Sequence, residues 1–247
     1  WPAAVGGCPG HVPVARITAV PPSTPASAAA QPGMIARHCT ATRQPRPASR
    51  SAMPRISVHD FYDHVLSHYG DTAEGLHYQS ANSQQTRFRV LRELLPQTLS
   101  GLSLVDLGCG FGDFLIYLRA QGEEPGGYLG VDLHERMVAV ARERTGAEIV
   151  QADVLTDPLP AADWYVCSGA LNNLTLEETR VAVGRCYAAA GGGFVFNLLH
   201  GKDNSQTFNY RQPAEVEAWA AALGAEVTIV DGYLHRDFSA ALVKPGA

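Results

Sequence analysis

Apolar residues recur at two alternating kinds of spacing along the chain. Intervals of three and four from Val58 to Tyr69 are typical of a helix, which Ser57 can cap and Gly70 can end. A second helix is predicted over about 80–95, where Pro96 ends it. Further helices are predicted after 113, after 136, and over about 175–190 and 213–223. Between the helices lie short apolar runs typical of strands: Leu102–Leu107, Tyr128–Val131, Glu148–Ala152, Trp164–Cys167, Gly193–Leu198, Glu226–Val230 and Phe238–Val243.

The order of these elements predicts the fold class. Strands that are apolar throughout and alternate with helices indicate a parallel sheet covered on both faces. Only a few residues, Asp231 to Asp237, separate the last two runs, too few for a parallel crossover, so these two strands are predicted to pair as an antiparallel hairpin. The expected fold is therefore α/β, with a Rossmann-like, seven-stranded, mostly parallel sheet, an antiparallel C-terminal β-hairpin, and helices on both faces.

The composition of residues 1–52 differs from that of the rest. This segment contains five of the nineteen basic residues, none of the twenty-four acidic ones and nine of the sixteen prolines. It holds too little apolar surface to offset its ordering entropy, so it is predicted to be a disordered Pro/Ala/Arg-rich tail. Three origins stay open: a mis-assigned start with Met53 as the first residue, a plain disordered tail, or an Arg-rich transit peptide. Residues 53–247 are predicted to form a single domain with N-terminal lid helices.

Charge, hydropathy and cysteine content exclude several classes of protein. With five basic residues in the tail, the chain from Met53 onward carries a net charge of −10, which argues against a general nucleic-acid binder. The chain has no apolar run of about 18 residues, which argues against a membrane span. The five cysteines form no CxxC pair, so a reduced, cytosolic setting is expected. His64 and His68 lie one turn apart without a third ligand nearby, and no metal site is predicted. The sequence does not indicate an oligomeric state.

Candidate chemistry begins at the end of the first predicted strand. The segment there reads Val-Asp-Leu-Gly-Cys-Gly-Phe-Gly-Asp over residues 105–113. Its glycines let the backbone turn sharply and approach a ligand, and the next helix directs free N–H groups toward that ligand. An acid at position 113, where a dinucleotide motif has glycine, suits a cationic ligand. The alternative interpretation is an ordinary glycine-rich turn.

Polar residues also follow the next three strands. Asp132 lies 22 residues after Gly110, where a carboxylate accepts hydrogen bonds from ribose hydroxyls. Asp153 can accept a hydrogen bond from an adenine amine. The turn over 168–173 contains small residues and two asparagines. For each of these segments, capping of a turn or a helix is the alternative.

Together, these segments resemble the motifs of class I S-adenosylmethionine-dependent methyltransferases. The resemblance covers about residues 76–245 and is strongest over 102–198. It implies that the cofactor's methionine part is surrounded by Asp106, Gly108, Gly110 and Asp113, with Cys109 and Gly112 in the same cofactor-binding loop. It implies further that Asp132 holds the ribose, that Leu133 and Met137 border the adenine, and that Asp153 and Val154 contact the adenine edge. Ser168 and Gly169 are implied to lie beneath the sulfonium. The fourth motif is not the Asn/Asp-Pro-Pro-aromatic type, which puts DNA-base and amide-nitrogen substrates in doubt.

The helix before the first strand adds a further candidate. At 100° per residue, Arg87 and Gln84 fall within the apolar arc of this helix, and an unpaired buried charge is costly. A carboxylate of the cofactor's methionine part would be a bidentate partner for Arg87, and a salt bridge to a protein carboxylate is the alternative. Tyr78, Gln79 and Ser80 are predicted to form part of a lid.

The favoured hypothesis is in-line methyl transfer from S-adenosylmethionine to a small-molecule acceptor, because the chain has only two lysines, Lys202 and Lys244, and no basic patch. The alternatives are a protein or tRNA methyltransferase, a nicotinamide-dependent oxidoreductase, and a non-catalytic S-adenosylmethionine-binding partner subunit. A general base is needed only if the acceptor must lose a proton first. The weak candidates for it are His200 and His235, with His77 reached through the lid.

Overall fold

The computed structural model describes residues 57–70, 72, 75–76, 78, 80–202 and 208–247. The tail predicted for residues 1–52 lies outside the described residues, as do His77 and Gln79. The helices are α1 (Val58–Tyr69), α2 (Ala81–Leu94), α3 (Asp113–Ala120), α4 (Glu135–Thr145), α5 (Leu176–Ala189) and α6 (Pro213–Leu223). The strands are β1 (Ser103–Leu107), β2 (Gly127–Asp132), β3 (Glu148–Gln151), β4 (Ala162–Cys167), β5 (Ala190–His200), β6 (Tyr210–Arg211), β7 (Glu226–Asp231) and β8 (Asp237–Val243).

The strands form one sheet with the order β3-β2-β1-β4-β5-β8-β7. The β8 strand runs antiparallel to both of its neighbours, β5 and β7, and the other pairings are parallel. This confirms the predicted mostly parallel sheet with a reversed last strand. The short β6 strand, which the apolar pattern does not predict, pairs beside Leu199 and His200 at the end of β5.

Local sequence explains where several helices begin and end. Ser57 accepts a hydrogen bond from the backbone N–H of Asp60 and so caps α1, as predicted. The helices α2 and α5 each begin with a reciprocal capping box, formed by Ser80 with Ser83 and by Thr175 with Glu178. None of the described helices is long and apolar enough to cross a membrane.

The two faces of the sheet are buried by different helices. Alternate side chains of β5 pack on opposite faces of the sheet. Phe194 and Phe196 pack in the cluster that includes residues of α5 and α6, whereas Val195 packs with residues of α2 and α3. Each of these three side chains is fully buried. Such two-sided burial explains why the central strands are apolar without alternation.

Candidate functional site

A cavity of about 610 Å³ lies at the carboxyl ends of the central strands. Its wall includes the loops that follow β1, β2, β3 and β4, together with residues of α1 and α2. β1 and β4 are neighbours in the sheet although β2 and β3 come between them in the chain, so the strand order reverses here. Ligands bind at such a switch point in open α/β sheets, and the cavity has the size of a small-molecule site.

The loop after β1 folds tightly against its neighbours. Gly108 has a φ of +65°, and a Cβ atom at this position would lie 2.2 Å from the Cβ of Ala170. The loops after β1 and β4 therefore touch, and only glycine fits between them. Gly112 precedes α3 in the left-handed conformation, where a Cβ would meet Thr145 at 2.4 Å. Gly112 is not among the residues that line the cavity, so its part is the packing of α3 against α4.

Asp132, at the end of β2, is buried and fixed by two backbone groups. Its Oδ2 accepts from the N–H of Gly110 and its Oδ1 accepts from the N–H of His134, both at 2.9 Å. Burial raises the pKa of this carboxyl, and the two hydrogen bonds partly offset the rise. Each oxygen keeps a second lone pair, so the carboxylate can still accept from a ligand. Asp132 also lines the cavity.

Two further carboxylates line the cavity near the glycine loop. Asp106 accepts a hydrogen bond from the Tyr128 hydroxyl at 2.7 Å, and burial raises the pKa of Asp106 to about 7. Asp113 pairs with Arg144 at 2.7 Å and accepts from the side-chain amide of Gln84 at 3.1 Å. The acid that replaces the third glycine of a dinucleotide motif is thus held at the cavity wall.

The residues expected around the adenine divide into two groups. Leu133, Asp153 and Val154 line the cavity, and Asp153 also caps its own turn by accepting from the N–H of Leu155 at 2.8 Å. Met137 does not line the cavity. It is only 2% exposed and packs in a core cluster with Leu66 and Phe111, and its contact with the adenine stays a prediction.

The loop after β4 is held from two sides. The hydroxyl of Tyr78 lies 2.9 Å from the hydroxyl of Ser168, and Tyr78 is buried at the cavity wall. The N–H of Gly169 donates to Oδ1 of Asn197 at 2.9 Å, and Nδ2 of Asn197 donates to Oδ1 of Asp237 at 3.2 Å. Ser168 and Gly169, both expected near the sulfonium, line the cavity.

Arg87 closes these contacts into a loop of interactions. Its Nε donates to Oδ2 of Asp237 at 2.7 Å, its Nη2 pairs with the same oxygen, and its guanidinium carbon lies 5.2 Å from the centroid of the Tyr78 ring. Arg87 lines the cavity, but the carboxylate of Asp237 pairs its charge. This is the alternative that the sequence left open, a salt bridge within the protein in place of one to the cofactor. We call this set the polar ring; its members are Tyr78, Arg87, Asp237, Asn197, Ser168 and Gly169.

Sequence reasoning missed two members of the polar ring. Asn197 is fully buried within the aromatic and aliphatic run of β5, and Asp237 is 1% exposed at the start of β8. Burial raises the pKa of Asp237, and Arg87 is the strongest opposing influence. A polar residue inside an otherwise apolar strand was the available signal for Asn197.

The two candidate general bases do not line the cavity. Nδ1 of His200 pairs with Asp231 at 3.0 Å, and the ring of His200 packs edge-on against Phe238. His235 lies in the turn between β7 and β8. Neither histidine is among the residues that line the cavity, and a role as general base stays a prediction for both. No group of three metal-ligating side chains occurs among the residues the structure describes.

Comparisons with known proteins agree with this arrangement. Residues 104–192 match a family model described as "Methyltransferase domain". A curated relative, the malonyl-[acyl-carrier protein] O-methyltransferase of Pectobacterium atrosepticum, is 31% identical over 130 residues. That match covers 51% of this chain and 50% of the relative, so the chain spans about half the length of the curated protein it matches.

Solved structures share the fold at low sequence identity. The methyltransferase in a complex with the Trm112 methyltransferase activator of Haloferax volcanii matches with a TM-score of 0.61 and 17% identity, over 77% of this chain and 99% of that one. The magnesium protoporphyrin IX methyltransferase of Synechocystis, solved with bound S-adenosylhomocysteine, matches with a TM-score of 0.59 and 16% identity. The second match covers 75% of this chain and 93% of that one.

Proposed function

We propose that this chain is a class I S-adenosylmethionine-dependent methyltransferase that transfers a methyl group from S-adenosylmethionine to a small-molecule acceptor. The observation that carries the proposal is the set of carboxylates around one cavity at the switch point. Four of them, Asp106, Asp113, Asp132 and Asp153, line its wall. The single Lys or Arg among the described lining residues is Arg87, which Asp237 neutralises. Such a cavity favours a cationic ligand.

The described residues fit S-adenosylmethionine. Asp132 would accept from the ribose hydroxyls through its remaining lone pairs, and Asp153 would accept from the adenine amine. Asp106 would face the ammonium of the methionine part, beside Asp113, whose charge Arg144 already pairs. The close contact of Gly108 with Ala170 brings the loops after β1 and β4 together at the same point, where Ser168 and Gly169 form the wall.

The work of the protein in this reaction is to position the reactants. The cofactor supplies a methyl group activated on a sulfonium, so that the acceptor's lone pair forms the new bond while the carbon–sulfur bond breaks and its electron pair stays on sulfur. The protein must hold the two partners in line and exclude water. The polar ring fixes Ser168 and Gly169 from both sides, and the backbone bonds of Asp132 fix the glycine loop.

No histidine lines the cavity among the described residues. We therefore propose that the acceptor attacks through a group that is already nucleophilic, or that water takes its proton. Burial raises the pKa of Asp106 to about 7, so this lining carboxyl can exchange a proton near neutral pH. It accepts from the Tyr128 hydroxyl, which orients it.

We extend the proposal to the setting of the protein. The three cysteines of the described part, Cys109, Cys167 and Cys186, are buried free thiols. Such thiols suit a reducing compartment such as the cytosol.

Calorimetry with three ligands tests the proposal. S-adenosylmethionine and S-adenosylhomocysteine are expected to bind, and NAD is expected not to bind. Asp132→Asn should weaken both sulfur ligands, whereas Glu177→Gln, on the exposed side of α5, should leave both affinities unchanged. Incubation of a metabolite extract with a labelled methyl donor then identifies the acceptor. Binding of NAD in preference to both sulfur ligands would overturn the proposal.

A further inference from the structure

The cavity extends beyond the residues expected around the cofactor. Its wall also includes parts of α1, the turn after β4, the end of β5, and β6. We call this part of the wall the acceptor pocket; its members are Tyr62, Asn173, Leu174, Leu199, Phe208 and Tyr210. Five of the six lie outside the motifs that carry the family resemblance. The sixth, Asn173, is the last residue of the fourth motif.

Three of the six members of the acceptor pocket are aromatic, namely Tyr62, Phe208 and Tyr210. Tyr62 packs edge-on against Phe61 with ring centroids 5.1 Å apart, and Phe61 packs edge-on against Phe208 at 5.9 Å. These contacts fix the rings of Tyr62 and Phe208 relative to each other. A rigid aromatic wall binds flat, ring-bearing molecules through apolar burial and ring contacts.

The polar groups of the acceptor pocket are uncharged. The hydroxyl of Tyr62 accepts from the side-chain amide of Asn173 at 3.1 Å. Burial raises the pKa of Tyr62 to about 12, so its phenol stays neutral at physiological pH. The phenol can still donate its own proton, which suits an acceptor with a hydroxyl or amine.

The two arginines near the acceptor pocket, Arg236 and Arg87, already contact other groups of the protein. The guanidinium carbon of Arg236 lies 4.3 Å from the centroid of the Tyr210 ring, and its Nη2 donates to the carbonyl of Lys202 at 3.0 Å. Arg236 is not among the lining residues, and Arg87 is paired with Asp237.

We propose that the acceptor is an uncharged, ring-bearing molecule with a hydroxyl or amine group, bound in the acceptor pocket. This inference rests on the proposed function, because it names the substrate class of the same site. A carboxylate or phosphate on the acceptor would enter a pocket whose described members carry no cation, and it would face the carboxylates of the cofactor end. Desolvation and repulsion both disfavour such a group.

A matched pair of probes tests the charge preference. The probes are 2-naphthol and 6-hydroxy-2-naphthoate, which differ by one carboxylate, and their affinities are measured by calorimetry with S-adenosylhomocysteine present at saturation. We expect 2-naphthol to bind at least about tenfold more tightly, since no described member of the acceptor pocket offers the carboxylate a cation. Equal or tighter binding of the naphthoate overturns the inference, as does failure of 2-naphthol to bind.

Variants locate the binding. Phe208→Ala should weaken 2-naphthol by about tenfold, because it removes an aromatic wall, and should leave the affinity for S-adenosylhomocysteine unchanged. Tyr62→Phe, which keeps the ring, should weaken 2-naphthol less than Phe208→Ala does. The matched control is Tyr69→Ala, also on α1 but 58% exposed and outside the cavity, which should change neither affinity. An unchanged 2-naphthol affinity in both pocket variants contradicts the assigned location.

The experiment separates the inference from the function beneath it. If S-adenosylhomocysteine itself does not bind, the proposed function fails. If it binds while the naphthoate is preferred, only the charge preference is wrong, and loss of naphthoate affinity in Arg236→Gln would then assign the anion to Arg236.

Discussion

Arg87→Ala is expected to act mainly on stability. The substitution leaves the carboxylate of Asp237, which is 1% exposed, without its cation. Breaking a buried ion pair by removing one partner costs about 3–5 kcal/mol. Because Arg87 is itself 14% exposed, and Asn197 and Tyr233 still donate to Asp237, we expect the lower end of that range, about 3 kcal/mol in the free energy of unfolding.

A double-mutant cycle isolates the pair. Asp237→Asn removes the buried charge while it keeps an oxygen that can accept from Asn197. Introduced into the Arg87→Ala variant, it should recover about 1–2 kcal/mol, because no unpaired ion remains. Urea unfolding of the four proteins at neutral pH gives the coupling energy. A loss below about 1 kcal/mol in Arg87→Ala, or strict additivity, would refute the reasoning.

The pH dependence gives a second measure of the same pair. Arg87 opposes the burial that raises the pKa of Asp237, so its removal raises that pKa further. A carboxyl whose pKa is raised on folding stabilises the fold below its unfolded pKa and loses this contribution as the pH rises through its folded pKa. The deficit of Arg87→Ala should therefore be largest at neutral pH and shrink as the solution is acidified.

Two ligands distinguish the structural part of Arg87 from a cofactor contact. With its charge paired by Asp237, we expect Arg87→Ala to weaken S-adenosylmethionine and its decarboxylated analogue to a similar extent. A much larger loss for S-adenosylmethionine alone would support the sequence interpretation, in which Arg87 meets the cofactor's carboxylate.

Four further predictions concern the cofactor end and the tail. Because the pKa of Asp106 is raised to about 7, binding of a cation should displace its proton. The affinity for S-adenosylmethionine, measured by calorimetry, should therefore rise between about pH 6 and about pH 8, and Asp106→Asn should remove that rise. Asp132→Ala should weaken S-adenosylhomocysteine by about 2 kcal/mol, and an unchanged affinity in the folded variant would contradict its assignment. Urea unfolding should show that Gly108→Ala lowers the free energy of unfolding by more than the roughly 1–2 kcal/mol of strain in a left-handed alanine, because its Cβ would also clash with Ala170. Gly101→Ala, with φ +91° and open space around the position, should lower the free energy of unfolding by that strain alone. A shortened chain that begins at Met53 should keep the melting temperature and the cofactor affinity, and a loss of several degrees would show that the tail packs on the domain.

Local sequence patterns were enough to predict most helices and strands of the fold. The helix over Val58–Tyr69 follows from its spacing and its cap, and the reversed final strand follows from the short connection before Asp237. The β6 strand was not predictable, because two residues give no period and their pairing with Leu199 and His200 is a tertiary contact.

The sequence could predict those site residues that directly follow consecutive strands. The glycine loop and Asp132 follow consecutive strands, so their meeting at one edge is a consequence of topology. The partner of Arg87 lies 150 residues away on β8, and no local signal connects the two. The resemblance implies that Met137 borders the adenine, and only the tertiary structure shows that its side chain packs with Leu66 and Phe111.

The position of β8 has a consequence for the synthesis of the protein. β8 lies between β5 and β7 in the sheet but follows both in the chain. Until it is made, β5 presents an open edge from Gly193 to Leu199, the stretch that later pairs with Val243 to Asp237. This stretch is rich in aromatic and aliphatic residues, uncharged and free of proline, the composition of an aggregation-prone segment. Nascent chains halted before residue 237 should therefore aggregate through β5, and chaperone capture or slow growth at low temperature should raise the yield of folded protein.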